Sequence, residues 1–486
     1  MKFNSKLVIK LFFLLIILFF QTTLLDAQTL NQKLDQFISE YQINKNIASI
    51  SAGVLRKGKI IWIGAHGYSD LSHQVLAQPN TIYRIASISK VITAVAIMQL
   101  VEEGKINLDA DALNYIPYFP RKKWKFTTRQ ILQHTAGLRS YFPGEFNSTV
   151  FYPSIKEAVQ VLAKDTLEFK PGTKFLYTTL GYNLLAAIIE KVSGMTFNDY
   201  LKKYIFQPCE MNSTYLEFHQ KIILNKARGY DKNNFRQLEN APLADLSIKF
   251  AGGGIVSTSL DILNFANALM KGKLIKSSTL DSMLVSTKLP NGKTLESGLG
   301  FEIKKDRDEN LFFGHYGFGT GFSSLLAIYP KDSLAVVHLI NTVDRNIGSP
   351  ALTLAAIVLN RKYDFPQKSL ADKLMEITLN KNLDSAISFY KIVKIDSSNI
   401  YNISSNEFDL FGYDLLKTSQ ISNAIRWFRY FISEFPTNIS GYLGLGDSYY
   451  HDKNKGLALK YYNKALEINS SNSYALKMIK KIQSED

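Results

Sequence analysis

The chain has 486 residues, 46% of them hydrophobic: too long for one ordinary domain and apolar enough for a sizeable core. Its formal charge of +15 is dispersed except for one short basic run, Arg121 to Lys125. That pattern points away from nucleic acid, whose binders cluster their cations, and a single cysteine, Cys209, excludes an intrachain disulfide and a thiolate metal site.

The predicted elements open with a segment destined for removal. "MKFNSK" is a basic n-region, "LVIKLFFLLIILFF" an apolar h-region, and "QTTLLDAQ" offers cleavage after Ala27, which together read as a signal peptide over 1–27. The expected location is therefore exported, periplasmic or extracellular. The uninterrupted apolar run from Leu11 to Phe20 falls short of the about 20 residues that span a bilayer, so inner-membrane anchoring requires the segment to stay uncleaved.

"TLNQKLDQFISEYQ" then has helical periodicity, and "ISAGVLRKGKIIWIGAHGYSD" alternates like two strands joined at Lys57-Gly58-Lys59. "RIASISKVITAVAIMQLVEEGKINLD" follows as a helix apolar on nearly every face, hence one enclosed by protein. After a middle section of helices and Gly/Pro turns, "LFFGHYGFGTGFSSLLAIYPKDSLAVVHLINT" reads as three strands, with turns near Gly319 and Lys331-Asp332. Residues 349–360 read as one more helix. The expectation is an α/β (α+β) domain over 28–362, its terminal parts building one antiparallel sheet flanked by helices.

A linker is expected over 363–375 and an all-α domain over 376–486. There Phe408, Phe411, Gly412, Leu415, Ala424 and Phe428 recur 34 residues later as Tyr442, Leu445, Gly446, Tyr449, Ala458 and Tyr462. That period, with small residues where paired helices touch and aromatics filling the gap, matches the tetratricopeptide (TPR) pattern. The concave surface of such repeats suits a peptide or protein partner.

One polar group stands out on the enclosed helix. An unpaired ammonium at Lys90 would cost several kcal/mol or lose its proton, and a lysine so depressed can deprotonate a neighbouring hydroxyl. Residues three apart on a helix are neighbours, so Ser87 faces Lys90 and Ser89 does not. The competing reading makes Ser87 a simple N-cap. Ser-x-x-Lys is weak by itself, since it recurs at Ser388 to Lys391. A hydrolase site also needs a second proton-transfer group and an oxyanion donor. "GTKFLYTTLGYNLLAAIIEKVSG" offers Tyr177 in a loop before a buried helix, and "GHYGFGTGFSS" offers His315 and Gly317 on a strand, the glycine admitting a ligand close to the backbone.

Taken together, "YRIASISKVITA", "LQHTAGL", "FLYTTLGYNLLAAIIEKVSG", "AGGGIVSTSLDILNFA" and "GHYGFGTGFSSLLAIYP" closely resemble the serine β-lactamase-related hydrolases. That group includes class C β-lactamases, D-alanyl-D-alanine carboxypeptidases, D-aminopeptidases and penicillin-recognising esterases. The resemblance implies that Ser87 is the acylated nucleophile, Lys90 its activator and Tyr177 the partner in acid/base duty. It implies an oxyanion hole from the backbone N–H groups of Ser87 and Phe318, substrate contacts at Thr179, His315 and Gly317, and neither metal nor organic cofactor. Two departures bear on substrate. Tyr-x-Asn is replaced by Tyr177-Thr178-Thr179, and the strand triplet begins with His315 where a lysine is usual. Both favour a peptidase or esterase acting on a small molecule or peptide over an efficient β-lactamase. His134 is expected to secure a helix end and loop, Gly252 to Gly254 to approach the cleft floor closely, and Tyr141 and Phe142 are candidates to line the cleft.

The seven histidines are scattered without HExxH, and no G-x-S-x-G elbow occurs, against a metal hydrolase and an α/β-hydrolase. The remaining alternative is a catalytically idle penicillin-binding-like protein that holds peptides or partners through the cleft or the tail.

Overall fold

The computed structural model describes residues 29–344, 346–396 and 400–485, so the expected signal segment lies outside the described residues. The chain divides into two units. One runs to Asp231 and resumes over Asn240–Phe365; the other is Pro366 onward together with the inserted segment Lys232–Glu239.

In the first unit, helix α1 (29–44) leads into the hairpin β1 (Ser49–Arg56) and β2 (Lys59–Asp70). Strand β3 (Val75–Leu76) extends that edge. Helix α2 (Ile88–Glu102) follows, and the middle of the unit supplies α3 (Tyr182–Ser193) and α4 (Ser259–Met270). The chain then returns through β4 (Glu302–Lys305), β5 (Leu311–Gly319), β6 (Phe322–Tyr329) and β7 (Leu334–Ile340), and closes with α5 (Pro350–Val358). The sheet order is β3-β2-β1-β7-β6-β5-β4, antiparallel throughout. Its N- and C-terminal parts join at β1–β7, from Ile50 opposite Ile340 to Arg56 opposite Leu334.

Strand alternation divides the core into two layers. On β7, Leu334, Val336 and Ile340 pack with Phe37 and Ile38 of α1 and Leu354 and Val358 of α5. Ala335, Val337 and Leu339 turn to the opposite face, into the larger core that holds α2, α3 and α4. Helix α2 is buried from Ile88 through Met98, which accounts for its apolar residues on every side.

The second unit is built of helices, α6 (Leu370–Asn380), α7 (Leu383–Ile395), α8 (Ser405–Lys417), α9 (Ile421–Glu434), α10 (Ile439–His451), α11 (Lys455–Ile468) and α12 (Ser473–Gln483), with one short parallel pairing of Lys368–Ser369 and Tyr401–Asn402. Helix α6 begins inside the stretch expected as linker. The pair α10–α11 repeats α8–α9 with a 34-residue offset at each helix boundary. The packing repeats too: the Phe428 ring fills the space beside Gly412, and the Tyr462 ring that beside Gly446. A polar knot ties the last helices, where buried Asp447 accepts the hydroxyls of Tyr413, Tyr462 and Tyr474 at 2.7, 2.6 and 2.8 Å.

Candidate active site

The site begins where the chain turns from a short strand, Tyr83–Arg84, into α2. Ala86 takes a φ of 47°, a left-handed conformation that costs a non-glycine residue about 1 kcal/mol or more and that recurs at functional turns. Ser87 follows, partly exposed, at the N-terminus of α2, and its side chain caps nothing. The N-cap reading therefore fails. Ser89, its competitor, is fully buried and accepts the Ile255 N–H. In the tail, Ser388 donates to the Asp384 carbonyl and has no comparable setting.

Lys90 lies one turn on, fully buried, with Nζ 3.0 Å from Ser87 Oγ. Its other contacts are the Gly252 carbonyl at 2.6 Å and Thr179 Oγ1 at 3.2 Å. Burial pushes this amine well below the ordinary lysine value, and the positive charge of Lys249 adds to the effect, while Glu302 opposes it. A neutral amine has two N–H donors and one lone pair. Nζ donates to Gly252, Thr179 and Ser87 Oγ; when the depressed amine gives up one proton, Gly252 and Thr179 keep the remaining donors and the lone pair faces the Ser87 hydroxyl.

Tyr177 completes the group, its hydroxyl 2.8 Å from Ser87 Oγ. Burial raises this phenol far above its usual value, so it stays protonated. The environment thus moves the two neighbours of Ser87 in opposite directions, the amine down and the phenol up. Tyr177 is held by His134, which follows the helix Thr128–Leu132 in a left-handed conformation. The His134 carbonyl accepts the Leu176 N–H, its Nδ1 accepts the Thr178 N–H at 3.1 Å, and its ring lies 4.4 Å from that of Tyr177. Next door, Thr178 Oγ1 donates to the Arg139 carbonyl and accepts the Gly181 N–H, fixing the entry to α3.

Strand β5 supplies the facing wall. His315 is buried and donates from Nδ1 to the Tyr316 carbonyl at 2.5 Å. Burial lowers its pKa to about 4, so it carries no charge at neutral pH. At Gly317 a Cβ would meet Ser324 Oγ at 2.0 Å and the Ile85 carbonyl at 2.5 Å. The close approach that needs glycine here is to the chain's own segment before Ser87. Thr179, expected at the substrate, has its hydroxyl engaged by Lys90. Gly252 does approach the cleft floor closely: a Cβ there would lie 2.5 Å from the Thr179 carbonyl oxygen.

Two cavities open on this cluster. One is lined by Ser87, Tyr141, Phe146, Thr179, Lys249 and Phe318; the other, about 440 Å³, by His134, Tyr177, Gly300, Glu302, Lys304 and His315. A cavity of about 740 Å³ around residues 198–225 contains none of these groups. Phe142 does not line the cleft; its ring stacks 3.7 Å from the Arg139 guanidinium. The residue that sequence reading missed is Lys249, whose signal was a lysine in the apolar stretch "SIKFAGGG".

The beta-lactamase family profile matches residues 34–359. The chain belongs to the beta-lactamase family. It is 31% identical over 377 residues to the human mitochondrial serine beta-lactamase-like protein LACTB, covering 58% of this chain and 69% of that one. Among solved structures, it is similar to the octameric penicillin-binding protein homologue from Pyrococcus abyssi, with a TM-score of 0.59, 26% identity, and 72% and 81% of the two chains covered. A D-stereospecific amidohydrolase from Streptomyces gives a TM-score of 0.55 and 25% identity over 64% of this chain and 94% of that one. As a member of this beta-lactamase group, the protein is a serine hydrolase of the penicillin-binding type.

Proposed function

We propose that the protein is an exported acyl-transfer enzyme that forms an acyl-enzyme on Ser87 from a small-molecule or peptide amide or ester. The observation that carries this reading is Ser87 Oγ bracketed by Lys90 Nζ at 3.0 Å and Tyr177 OH at 2.8 Å. Lys90 takes the Ser87 proton as Oγ bonds to the carbonyl carbon. The oxyanion forms against the N–H groups of Ser87 and Phe318. The C–N or C–O bond then breaks as Tyr177 passes its proton to the leaving atom, and the lysine ammonium returns a proton to the phenolate. Water enters, and the same groups run in reverse to free the acid and restore Ser87.

A neutral His315 and a Thr179 hydroxyl committed to Lys90 favour peptidase or esterase chemistry over efficient β-lactam hydrolysis. The similarity to the Streptomyces D-stereospecific amidohydrolase supports the same choice. Export rests on residues 1–27 alone; among the described residues no helix is long and apolar enough to cross a membrane. The helical tail, with its 34-residue repeat, is read as a TPR-type module for a peptide or protein partner, a reading by fold analogy.

Intact-mass measurement after exposure to penicillin, a cephalosporin, 4-nitrophenyl esters and D-amino-acid peptides tests the proposal, with Ser87→Ala alongside. A covalent adduct on wild type that Ser87→Ala lacks is the expected result. Equal adducts on both, or none on a folded wild type, would return the protein to the idle-binding reading.

A further inference from the structure

Lys249 takes no part in the chemistry above, yet it is buried in the wall of the cavity that holds Ser87. Its Nζ donates to the Phe146 carbonyl at 2.5 Å and lies 4.4 Å from the Phe146 ring and 5.5 Å from the Tyr141 ring. Among the described residues no carboxylate pairs with it. Arg84 lines the same cavity, but its guanidinium is committed to Glu217, whose carboxylate also holds Lys226 at 2.8 Å. Asp245 is engaged by Ser247 and by His219. Glu217 is thus taken up by Arg84 and Lys226, and the ammonium of Lys249 stands at the cavity wall without an ion-pair partner among the described residues. A desolvated ammonium with one neutral acceptor is costly in the empty site, and an anion entering the cavity relieves that cost.

The two cavities differ in the side of the scissile bond they serve. Tyr177 must reach the leaving atom, so the cavity lined by Tyr177, His315 and Glu302 takes the leaving group. The cavity lined by Ser87, Phe318 and Lys249, but not by Tyr177, lies on the acyl side; at about 20 Å³ it admits a terminal carboxylate at Lys249 and not the whole acyl chain. We propose that Lys249 is a specificity residue that selects acyl donors carrying a carboxylate a few carbons from the scissile carbonyl. This inference rests on acyl transfer at Ser87. Burial brings the Lys249 amine down to about 8, which leaves it cationic at neutral pH, and a bound carboxylate would hold it so.

The test compares the 4-nitrophenyl ester of hexanoic acid with the mono-4-nitrophenyl ester of adipic acid, two acyl groups of equal carbon count. The wild type should favour the adipate in kcat/KM by about tenfold or more, the scale of one charge-assisted contact. Lys249→Met should bring the ratio to one or below, and Lys249→Glu should invert it. Because both esters are read on one preparation, the ratio is independent of the fraction folded. A wild-type ratio of one or less, or a ratio unchanged in Lys249→Met, overturns the role of Lys249 while leaving acyl transfer intact. If neither ester acylates Ser87, the acyl-transfer reading fails and this inference falls with it.

Discussion

The amine of Lys90 is fixed by the Gly252 carbonyl, 2.6 Å from Nζ. That single acceptor sets where the amine meets Ser87, and it exists because residue 252 can press against Thr179. Gly252→Ala would place a methyl 2.5 Å from the Thr179 carbonyl oxygen and push the two segments apart. We expect at least a hundredfold loss of kcat on a 4-nitrophenyl ester, since a displacement of about 1 Å in a catalytic group has effects of that order. A Gly252→Ala enzyme with full kcat would show that the contact is incidental.

The two groups beside Ser87 should separate cleanly in mutants. Lys90→Met removes the base and should lower acylation by about a thousandfold, while Tyr177→Phe removes the proton donor and should cost about a hundredfold or more. The Tyr177→Phe loss should be smaller on a 4-nitrophenyl ester, whose leaving group needs little protonation, than on an amide. Single-turnover acylation rates on matched ester and amide check this. An equal loss on both substrates would remove Tyr177 from the role of acid.

The pH profile follows from the same environment. The folded value of Lys90 lies well below 10.5, so its basic form persists to lower pH than free lysine allows. Activity should fall as pH drops through that depressed value and should not need alkaline conditions. Lys249 contributes to the depression, so Lys249→Met should let the Lys90 value rise and move the acid limb of kcat/KM for the hexanoate ester to higher pH. A limb that stays put or moves down would contradict this coupling. Independently, the adipate preference should fade as pH rises through about 8, where Lys249 loses its charge in the empty site.

Asp447 gives a prediction about stability alone. Asp447→Ala leaves the hydroxyls of buried Tyr462, half-buried Tyr413 and exposed Tyr474 without their shared acceptor. A loss of roughly 2 kcal/mol in the helical unit is expected, at about 1 kcal/mol for each of the two donors that water does not readily reach. Calorimetry should show a lowered transition in Asp447→Ala with ester hydrolysis retained. An unchanged melting profile would mean the knot contributes nothing net.

Much of this was legible in the sequence because it is periodic. The β1–β2 hairpin, the three strands of β5–β7 and the 34-residue helical repeat each carry their own local signal, and Ser87 was separated from Ser89 by helical geometry alone. Strand β4 was not foreseen: "EIKK" lacks alternation and gains its partners only from β5. Lys249 escaped for a related reason. Its meaning comes from Phe146, Tyr141 and Ser87, which lie at least a hundred residues away in sequence, and no spacing rule relates them. Gly317 was marked as a close approach, but sequence cannot show that Ile85 and Ser324 crowd it.

The meeting of the two ends of the sheet at β1 and β7 has a consequence for timing. Ser49 donates to the side chain of Asn341, 292 residues further on, and β6, the neighbour of β5, reaches the nucleophile's turn through the Ser324 hydroxyl on Ile85. A nascent chain that has made Ser87 and Lys90 must wait for about half of the polypeptide before the oxyanion wall exists. Until then the serine is an ordinary alcohol. A chain stalled before residue 311 should ignore acylating reagents that label the finished enzyme, so reactivity arrives late in synthesis, after the nucleophile and its base have long been in place.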